Sequence, residues 1–203
     1  IGGRKLRLET GRMARQADGA IYATYADTAV LVAAVSAKKA SEDQDFFPLT
    51  VDYRERHYAA GRFPGGFIKR EGRPSDSEIL SARLIDRPIR PLFPESYFCE
   101  TQIMCTVMSS DKENDAGILG IIAASAALAV SDIPFMKPIA GIKIGKIDGQ
   151  LVANPTYTEL ASSTLDLVVA GNKDAINMVE GESKEVSESD LLEALKFAHE
   201  NIK

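Results

Sequence analysis

The stretch Tyr58–Pro91, YAAGRFPGGFIKREGRPSDSEILSARLIDRPIRP, decides how this chain is organised. A glycine-rich segment leads into a helix-forming segment, and Ser75 with Glu78 three residues later is the pattern of a capping box that starts a helix. The apolar stripe of that helix consists of Ile79, Leu80, Leu84 and Ile85. Pro88 is expected to end or kink it. The stretch is rich in arginine although the whole chain has a formal net charge of -5, and this local excess requires a chemical or a structural reason.

Short strands are predicted before this stretch. Lys5–Glu9 alternates polar and apolar residues, as a half-buried strand does. Ala20–Tyr25 and Thr28–Ser36 predict a hairpin with a two-residue connection. The second of these strands is apolar on both faces, which predicts a central position in a sheet. Pro48–Tyr53 predicts a further strand.

The rest of the chain alternates strands with helices. Asn114–Ser131 is predicted to be a helix buried against a sheet, because it is built largely from glycine, alanine and isoleucine, and Leu191–Ile202 is predicted to be an amphipathic helix. The further predicted strands are Glu100–Ser109, Ile139–Ile147, Gln150–Ala153, Leu165–Ala170 and Ile176–Glu180. No internal repeat or linker is visible. The pattern therefore predicts one α+β (mixed α/β) domain over residues 1–203.

Composition narrows the possible functions. A hydrophobic content of 45% and a charged content of 26% are ordinary for a globular domain. Net acidity argues against nucleic-acid binding over the whole surface, which needs a pervasive positive field, but leaves room for one basic loop. No apolar run reaches the roughly 20 residues that span a bilayer. The chain opens with Ile1 and lacks a signal-peptide pattern, so we expect the native start to lie elsewhere.

Cysteine and histidine offer no chemical site. Cys99 and Cys105 are too few for a disulfide framework and stand in an apolar run, which predicts two small buried side chains. His57 and His199 are far apart and lie outside any metal-binding motif. No pattern for a catalytic nucleophile or paired carboxylates is present either.

The loop motif Phe67-Ile68-Lys69-Arg70 has two interpretations. An aromatic ring can stack on a base while neighbouring cations neutralise phosphates, and glycines on both sides would let such a loop enter a channel. Alternatively, the loop is an ordinary solvated surface loop whose ring packs back on the domain. Spacing alone favours the second interpretation.

Arg83, Arg87 and Arg90 recur at helical spacing, so the sequence places them on one face. The guanidinium fork suits phosphate oxygens, which makes a phosphate-binding face one hypothesis. Asp86 is three residues after Arg83 and four before Arg90, so internal salt bridges are the other, and the sequence favours it.

Two further clusters are weak candidates. Gly117 and Gly120 open a helix that could bind an anion at its N-terminus, but the residues that lead into it are acidic and no phosphate-binding lysine follows. Asn154, Glu159 and Asp166 are the only polar cluster among the late strands, and they make a poor cation site.

Taken together, these segments resemble a known family. The block FPLTVDYRERHYAAGRFPGGFIKREGRPSDSEILSARLIDRPIRPLFP is similar to the first RNase PH-like core domain of the polynucleotide phosphorylases, and the similarity continues through DGAIYATYADTAVLVAAVS, AASAALAVSDIPF and LDLVVAG. It covers essentially the whole chain. The resemblance implies a ring-shaped trimer with two such cores per subunit, and RNA that threads a central channel. It also implies phosphorolysis, in which inorganic phosphate attacks the 3′-terminal phosphodiester and releases a nucleoside diphosphate.

The resemblance assigns roles to the loop. The family's aromatic-aromatic-arginine-arginine motif falls on Phe67, Ile68, Lys69 and Arg70. Ile68 stands in place of an aromatic residue and Lys69 in place of an arginine, so the charge is kept while one stacking surface is lost. RNA binding is therefore expected of Phe67, Lys69 and Arg70, with a contribution from Arg73.

The departures from the family pattern predict that this core does not catalyse. Active domains have a threonine-arginine pair before the small-residue helix, and the matching run here is ENDAGILG. Two aspartates six residues apart serve metal and acid chemistry in active domains, and counting back from Asp166 places them on Asn154 and Leu160. We therefore expect no catalytic residue and no metal ligand in this chain, with Mg²⁺ bound in a second core that the chain does not include.

Several expectations about the whole protein follow from the resemblance alone. Inorganic phosphate would be the co-substrate, single-stranded RNA and a homotrimer the partners, and an RNA-degradation complex a further partner, with no membrane involved. A bacterial cytoplasm is the expected location, with mitochondria or plastids as alternatives. Two other functions stay open: a self-sufficient phosphorolytic RNase of the RNase PH type, and an inactive ring subunit like those of the exosome.

Overall fold

The computed structural model describes residues 1–203 as two sheets with helices packed between and beside them. The strands are β1 (Leu6–Thr10), β2 (Gly19–Tyr25), β3 (Thr28–Ser36), β4 (Leu49–Glu55), β5 (Thr101–Ser109), β6 (Ala140–Ile147), β7 (Gln150–Ala153), β8 (Leu165–Gly171) and β9 (Ile176–Ser183). The helices are α1 (Asp76–Ile89), α2 (Ala116–Ala129), α3 (Tyr157–Leu160) and α4 (Glu188–Ile202). Short 3₁₀ turns cover His57–Ala60 and Arg90–Leu92.

The first sheet has five strands in the order β1-β2-β3-β5-β4. All its pairs are antiparallel except β4 with β5, which run parallel because α1 connects them. Val30 and Val32 of β3 are fully buried, and β3 is the central strand, which confirms the position predicted from its apolar character. Helices α1 and α2 cover one face of this sheet.

Helix α2 lies at the centre of the domain. Twelve of its fourteen residues are buried, and it contacts β2, β3 and β6 and therefore both sheets. Gly120 shows why small residues are needed: a Cβ there would lie 2.9 Å from Cδ1 of Ile85 and 3.3 Å from Sγ of Cys105. Close packing of this kind leaves no room for larger side chains.

The second sheet has four antiparallel strands in the order β7-β6-β8-β9. Helix α4 covers it, with Ala194 and Ala198 fully buried in a small apolar cluster. The larger apolar cluster contains residues of both sheets, among them Val32 and Val168. The two sheets thus share one buried core around α2.

The α+β class and the main elements agree with the sequence predictions, and three details differ. Helix α1 includes Pro88 and ends one residue later, at Ile89, where the chain tightens into the 3₁₀ turn, so this proline lies inside the last turn of the helix. Helix α3 was not predicted, although Thr156 and Glu159 form a capping box in front of it. Cys105 is buried as predicted, but Cys99 is only partly so. None of the helices has the length and apolar character that crossing a bilayer requires.

Candidate nucleic-acid interface

The loop between β4 and α1, residues 56–75, is closed at its base by Glu71. The carboxylate of Glu71 accepts the backbone N–H of His57 at 3.0 Å, and its second oxygen lies 3.3 Å from Nδ1 of the same histidine. The backbone N–H of His57 is the main reason that the pKa of Glu71 is lowered. The two ends of the loop are therefore joined by a charged contact.

Glu78 makes a second connection at the base. One of its carboxylate oxygens completes the capping box with the backbone N–H of Ser75 at 2.7 Å, and the other accepts the backbone N–H of Glu55, the last residue of β4, at 2.8 Å. Burial acts to raise the pKa of Glu78, but these backbone donors outweigh it, so its pKa is lowered. One glutamate thus starts α1 and ties it to β4.

The tip of the loop extends into solvent. Phe67 is fully exposed, and Ile68 has 78% of its surface exposed. The ring does not pack back on the domain, which was the alternative favoured from spacing. Positive φ angles at Gly61 and Gly66 provide the reversals that only glycine adopts at low cost.

The loop cations have no acidic partner. Arg62, Lys69, Arg70 and Arg73 are all exposed, and none takes part in a salt bridge. The ammonium of Lys69 lies over the ring of Phe63, whose centroid is 5.9 Å from Nζ. The loop therefore presents four free positive charges beside exposed apolar side chains.

Of the three arginines that recur at helical spacing, Arg90 makes its contacts within the domain. Its guanidinium contacts both carboxylate oxygens of Asp86, at 2.8 and 3.0 Å, and donates to the backbone oxygens of Phe47 and Leu49. These bonds connect the end of α1 to the start of β4.

Arg83 and Arg87, the two arginines inside α1, differ from each other. Arg87 pairs with Glu180 of β9 and so joins α1 to the second sheet. Arg83 is exposed and forms no salt bridge, so the internal pair with Asp86 that its spacing suggested is not made. A phosphate contact by Arg83 stays a prediction.

A cavity of about 450 Å³ lies behind the base of the loop. The loop, β5 and α3 contribute to its wall, which includes Arg56, His57, Arg62, Lys112 and Tyr157. Burial raises the pKa of the Tyr157 phenol, which therefore stays protonated. The wall contains three permanent cations, Arg56, Arg62 and Lys112, against one carboxylate, that of Glu55, and the rest of its lining is apolar or neutral apart from His57.

The N-terminus of α2 is occupied by a carboxylate from the chain itself. Asp115 caps the helix by accepting the backbone N–H of Gly117 at 2.8 Å, and its other oxygen lies 2.9 Å from Nζ of Lys143. The same ammonium is 3.5 Å from Asp166. Burial acts to lower the pKa of Lys143, but the two aspartates outweigh it and hold the pKa above its ordinary value. An anion would meet negative charge at this helix end.

The polar residues Asn154, Glu159 and Asp166, which follow or lie in the later strands, have structural roles. The side-chain oxygen of Asn154 accepts the backbone N–H of Lys143 at 3.0 Å, and Glu159 completes the cap of α3. Leu160, at the end of α3, offers no ligand atom in its side chain. No group of three histidine, cysteine or acidic side chains is arranged to hold a metal ion. Because Lys143 already engages Asp115 and Asp166, these residues do not fit Mg²⁺.

The structure is an α+β domain with an exposed loop tip that combines an aromatic ring with unpaired cations. The sequence matches the 3′ exoribonuclease family in two consecutive parts, domain 1 over residues 2–134 and domain 2 over residues 137–201. The chain belongs to this family. The junction between the parts falls between α2 and β6, where the chain leaves the first sheet with its helices for the second.

Curated bacterial relatives carry one name, polyribonucleotide nucleotidyltransferase. The protein of Geotalea uraniireducens is 60% identical over 202 residues, and that of Geobacter sulfurreducens is 60% identical over 199. The protein of Gluconobacter oxydans is 59% identical over 197 residues. These matches cover 97 to 100% of this chain but 28 to 29% of the relatives. The chain thus spans less than a third of the length of the proteins it matches.

Sequence reasoning missed two exposed residues of the loop, Arg62 and Phe63. Phe63 has 77% of its surface in solvent and lies beside Lys69. The signal was present, since Phe63 stands in the same glycine-bounded segment as Phe67. It was overlooked because the family motif covers only the contiguous residues Phe67–Arg70.

Proposed function

We propose that this chain is the first core of a polynucleotide phosphorylase, and that it holds single-stranded RNA without cutting it. The loop tip is the observation that carries the proposal: Phe67 is fully exposed, and the neighbouring cations have no acidic partner. Cations and an apolar ring left in water on a loop with a fixed base are the parts that bind phosphates and bases.

Lys69, Arg70 and Arg73 would neutralise backbone phosphates in this proposal, and Phe67 would stack on a base. Ile68 offers apolar contact but no π-face. Arg83 would extend the phosphate track, whereas Arg87 and Arg90 already have carboxylate partners. RNA would thus meet the loop first and the face of α1 second.

Catalysis would belong to a second core. The N-terminus of α2 supports the assignment of catalysis to a second core. Asp115 and Lys143 form an internal ion pair there, where an active core of this family is expected to hold phosphate. The same arrangement argues against a self-sufficient RNase of the RNase PH type. In the whole protein, inorganic phosphate would be the co-substrate and Mg²⁺ would bind in the second core.

The proposal extends to the assembly. The core would help to build a homotrimeric ring in a bacterial cytoplasm, and the whole protein would degrade mRNA there and associate with an RNA-degradation complex. Relatives from several bacteria support the bacterial source. The oligomeric state is measured by light scattering on the full-length gene product, for which we expect a trimer, and a monomer would contradict it.

The RNA-binding part is tested in the full-length gene product with Lys69→Ala/Arg70→Ala. We expect affinity for long oligoadenylate and processivity to fall while phosphorolysis of very short oligoadenylates is kept. The matched control is Lys39→Ala/Lys196→Ala, which removes two exposed, unpaired charges from other surfaces. Equal affinities of the two double variants for long oligoadenylate would reject the proposal.

The division between the cores is tested with the 203-residue chain alone. We expect no phosphate-dependent release of nucleoside diphosphate from oligoadenylate. Release at a rate that depends on phosphate concentration would show that this core catalyses and would favour the RNase PH alternative.

A further inference from the structure

The loop tip carries a second exposed ring, which the family motif does not include. Phe63 lies four residues before Phe67 and is 77% exposed. Other large aromatic side chains, such as Phe47 and Phe93, pack against each other with ring centroids 4.5 Å apart. A phenylalanine gains free energy of folding by burial, so one left in water at this position does not serve the stability of the fold.

The ring of Phe63 lies beside a cation of the loop that the proposed function assigns to phosphate binding. The ammonium of Lys69 lies 5.9 Å from its centroid, within the range of a cation–π contact. Lys69 has a φ of 52°, in the left-handed region that disfavours residues with a Cβ. The loop thus holds its lysine in an unfavourable backbone conformation and next to an aromatic face.

We propose that Phe63 is the second base-stacking ring of the loop, and that it supplies the aromatic face missing at Ile68. In this arrangement Phe63 and Phe67 stack on bases of one RNA strand, and Lys69 binds a phosphate next to the base on Phe63. This inference rests on the proposed function, because it names a further contact of the same loop with single-stranded RNA.

The charge of the surroundings favours RNA over a protein partner. Arg62 precedes the ring directly, and Arg70 and Arg73 follow on the same loop, all without acidic partners. Stacking tolerates any base because every base has a π-face, and cations beside the ring can neutralise the phosphates of a nucleic-acid backbone. If a protein docks on this ring instead, the loss of the ring will leave RNA affinity unchanged.

Phe63→Leu is the first variant, since leucine keeps apolar bulk and removes the aromatic face. We expect its affinity for oligoadenylate to fall about fivefold, at the lower end of what one stacked base contributes. Phe63→Tyr should keep the affinity. The matched control is Phe46→Leu, because Phe46 is also exposed but precedes β4, about 20 Å from the loop at the other end of the strand.

Salt dependence separates stacking from charge. Phe63→Leu should weaken binding equally at all salt concentrations and leave the slope of log Kd against log salt unchanged, because no counterion is released by a ring. Lys69→Ala/Arg70→Ala should reduce that slope. A reduced slope in Phe63→Leu would mean that the ring acts only by positioning Lys69, and would overturn the stacking role.

Tryptophan fluorescence gives a direct readout in the full-length gene product once any tryptophan outside residues 1–203, which contain none, is replaced by phenylalanine. In Phe63→Trp the single indole should be quenched by oligoadenylate, and in Phe46→Trp it should not. If the indole of Phe63→Trp is not quenched and Phe63→Leu binds normally, while Lys69→Ala/Arg70→Ala binds weakly, the inference fails and the proposed function stands. If all three of these variants bind oligoadenylate like the wild type, the proposed function fails as well.

Discussion

Lys69 and Lys143 carry the same charge in opposite settings. Lys69 is exposed on the loop tip without an acidic partner, whereas Lys143 lies between Asp115 and Asp166 with 11% of its side chain exposed. One cation is available to a ligand and the other is paired within the fold. In an acidic chain, a free cation is therefore a better indication of a binding site than the number of cations.

The strongest test of this contrast is Lys143→Met, which leaves two carboxylates without their shared partner. We expect the free energy of unfolding to fall by about 2 kcal/mol, below the range for a fully buried pair, because the side chains of Asp115 and Asp166 keep 22% and 34% of their surface exposed. Lys69→Met is the control and should change it by less than about 0.5 kcal/mol. Urea unfolding measures both, and equal stabilities of the two variants would contradict the contrast.

The next test compares Arg90, which follows the C-terminus of α1, with Arg83 inside that helix. Arg90→Ala removes a two-oxygen contact with Asp86 and two bonds to backbone oxygens, so we expect a loss of about 1 to 2 kcal/mol after allowing for its partial exposure. Arg83→Ala removes no ion pair and should be nearly neutral. Thermal unfolding compares the stabilities of the two variants. A larger loss of stability for Arg83→Ala would contradict the conclusion that Arg90, and not Arg83, is paired within the fold.

A gain of function should be available at Ile68. Ile68→Phe adds an aromatic face to the exposed tip, and we expect oligoadenylate to bind about fivefold more tightly, since one stacked base contributes on the order of 1 kcal/mol. Fluorescence anisotropy measures the affinity. Ile79→Phe, at an exposed position of α1, is the control. If both variants bind like the wild type, stacking at the tip is not limiting.

The smallest effect concerns pH. Glu71 and Glu78 both have pKa values below the ordinary 4.5. Their contribution to closing the loop is therefore fully present above about pH 4.5 and is lost as the pH falls through the lowered pKa values. We expect hydrogen-exchange protection of the His57 and Ser75 amides to fall over that acidic range. Glu71→Gln should lower it for His57 already at neutral pH. Unchanged protection in acid would show that these carboxylates do not close the loop.

Much of this fold could be predicted from the sequence. The period of the apolar residues and the capping pattern located the strands and the longer helices. The apolar character of β3 indicated its central position. The parallel pairing of β4 with β5 could not be read locally, because it depends on contacts between residues about fifty positions apart. Helix α3 was missed although its capping box was visible, since four residues are too few for an apolar period.

The candidate site was predictable in part. The resemblance pointed to Phe67, Lys69 and Arg70, but spacing could not decide whether their side chains reach solvent. Exposure depends on how the base of the loop is closed, and Glu71 does this through His57, fourteen residues away. The same limit applies to the arginines of α1, since the partner of Arg87 comes from β9, far along the chain.

The salt dependence of RNA binding tests the role of the free cations most directly. In the full-length gene product, the slope of log affinity against log salt for oligoadenylate should be shallower in Lys69→Ala/Arg70→Ala by about 1.4, roughly 0.7 for each phosphate that the variant no longer neutralises. Lys39→Ala/Lys196→Ala should keep the wild-type slope. A slope that does not change when Lys69 and Arg70 are replaced would contradict the claim that these unpaired charges bind the RNA backbone.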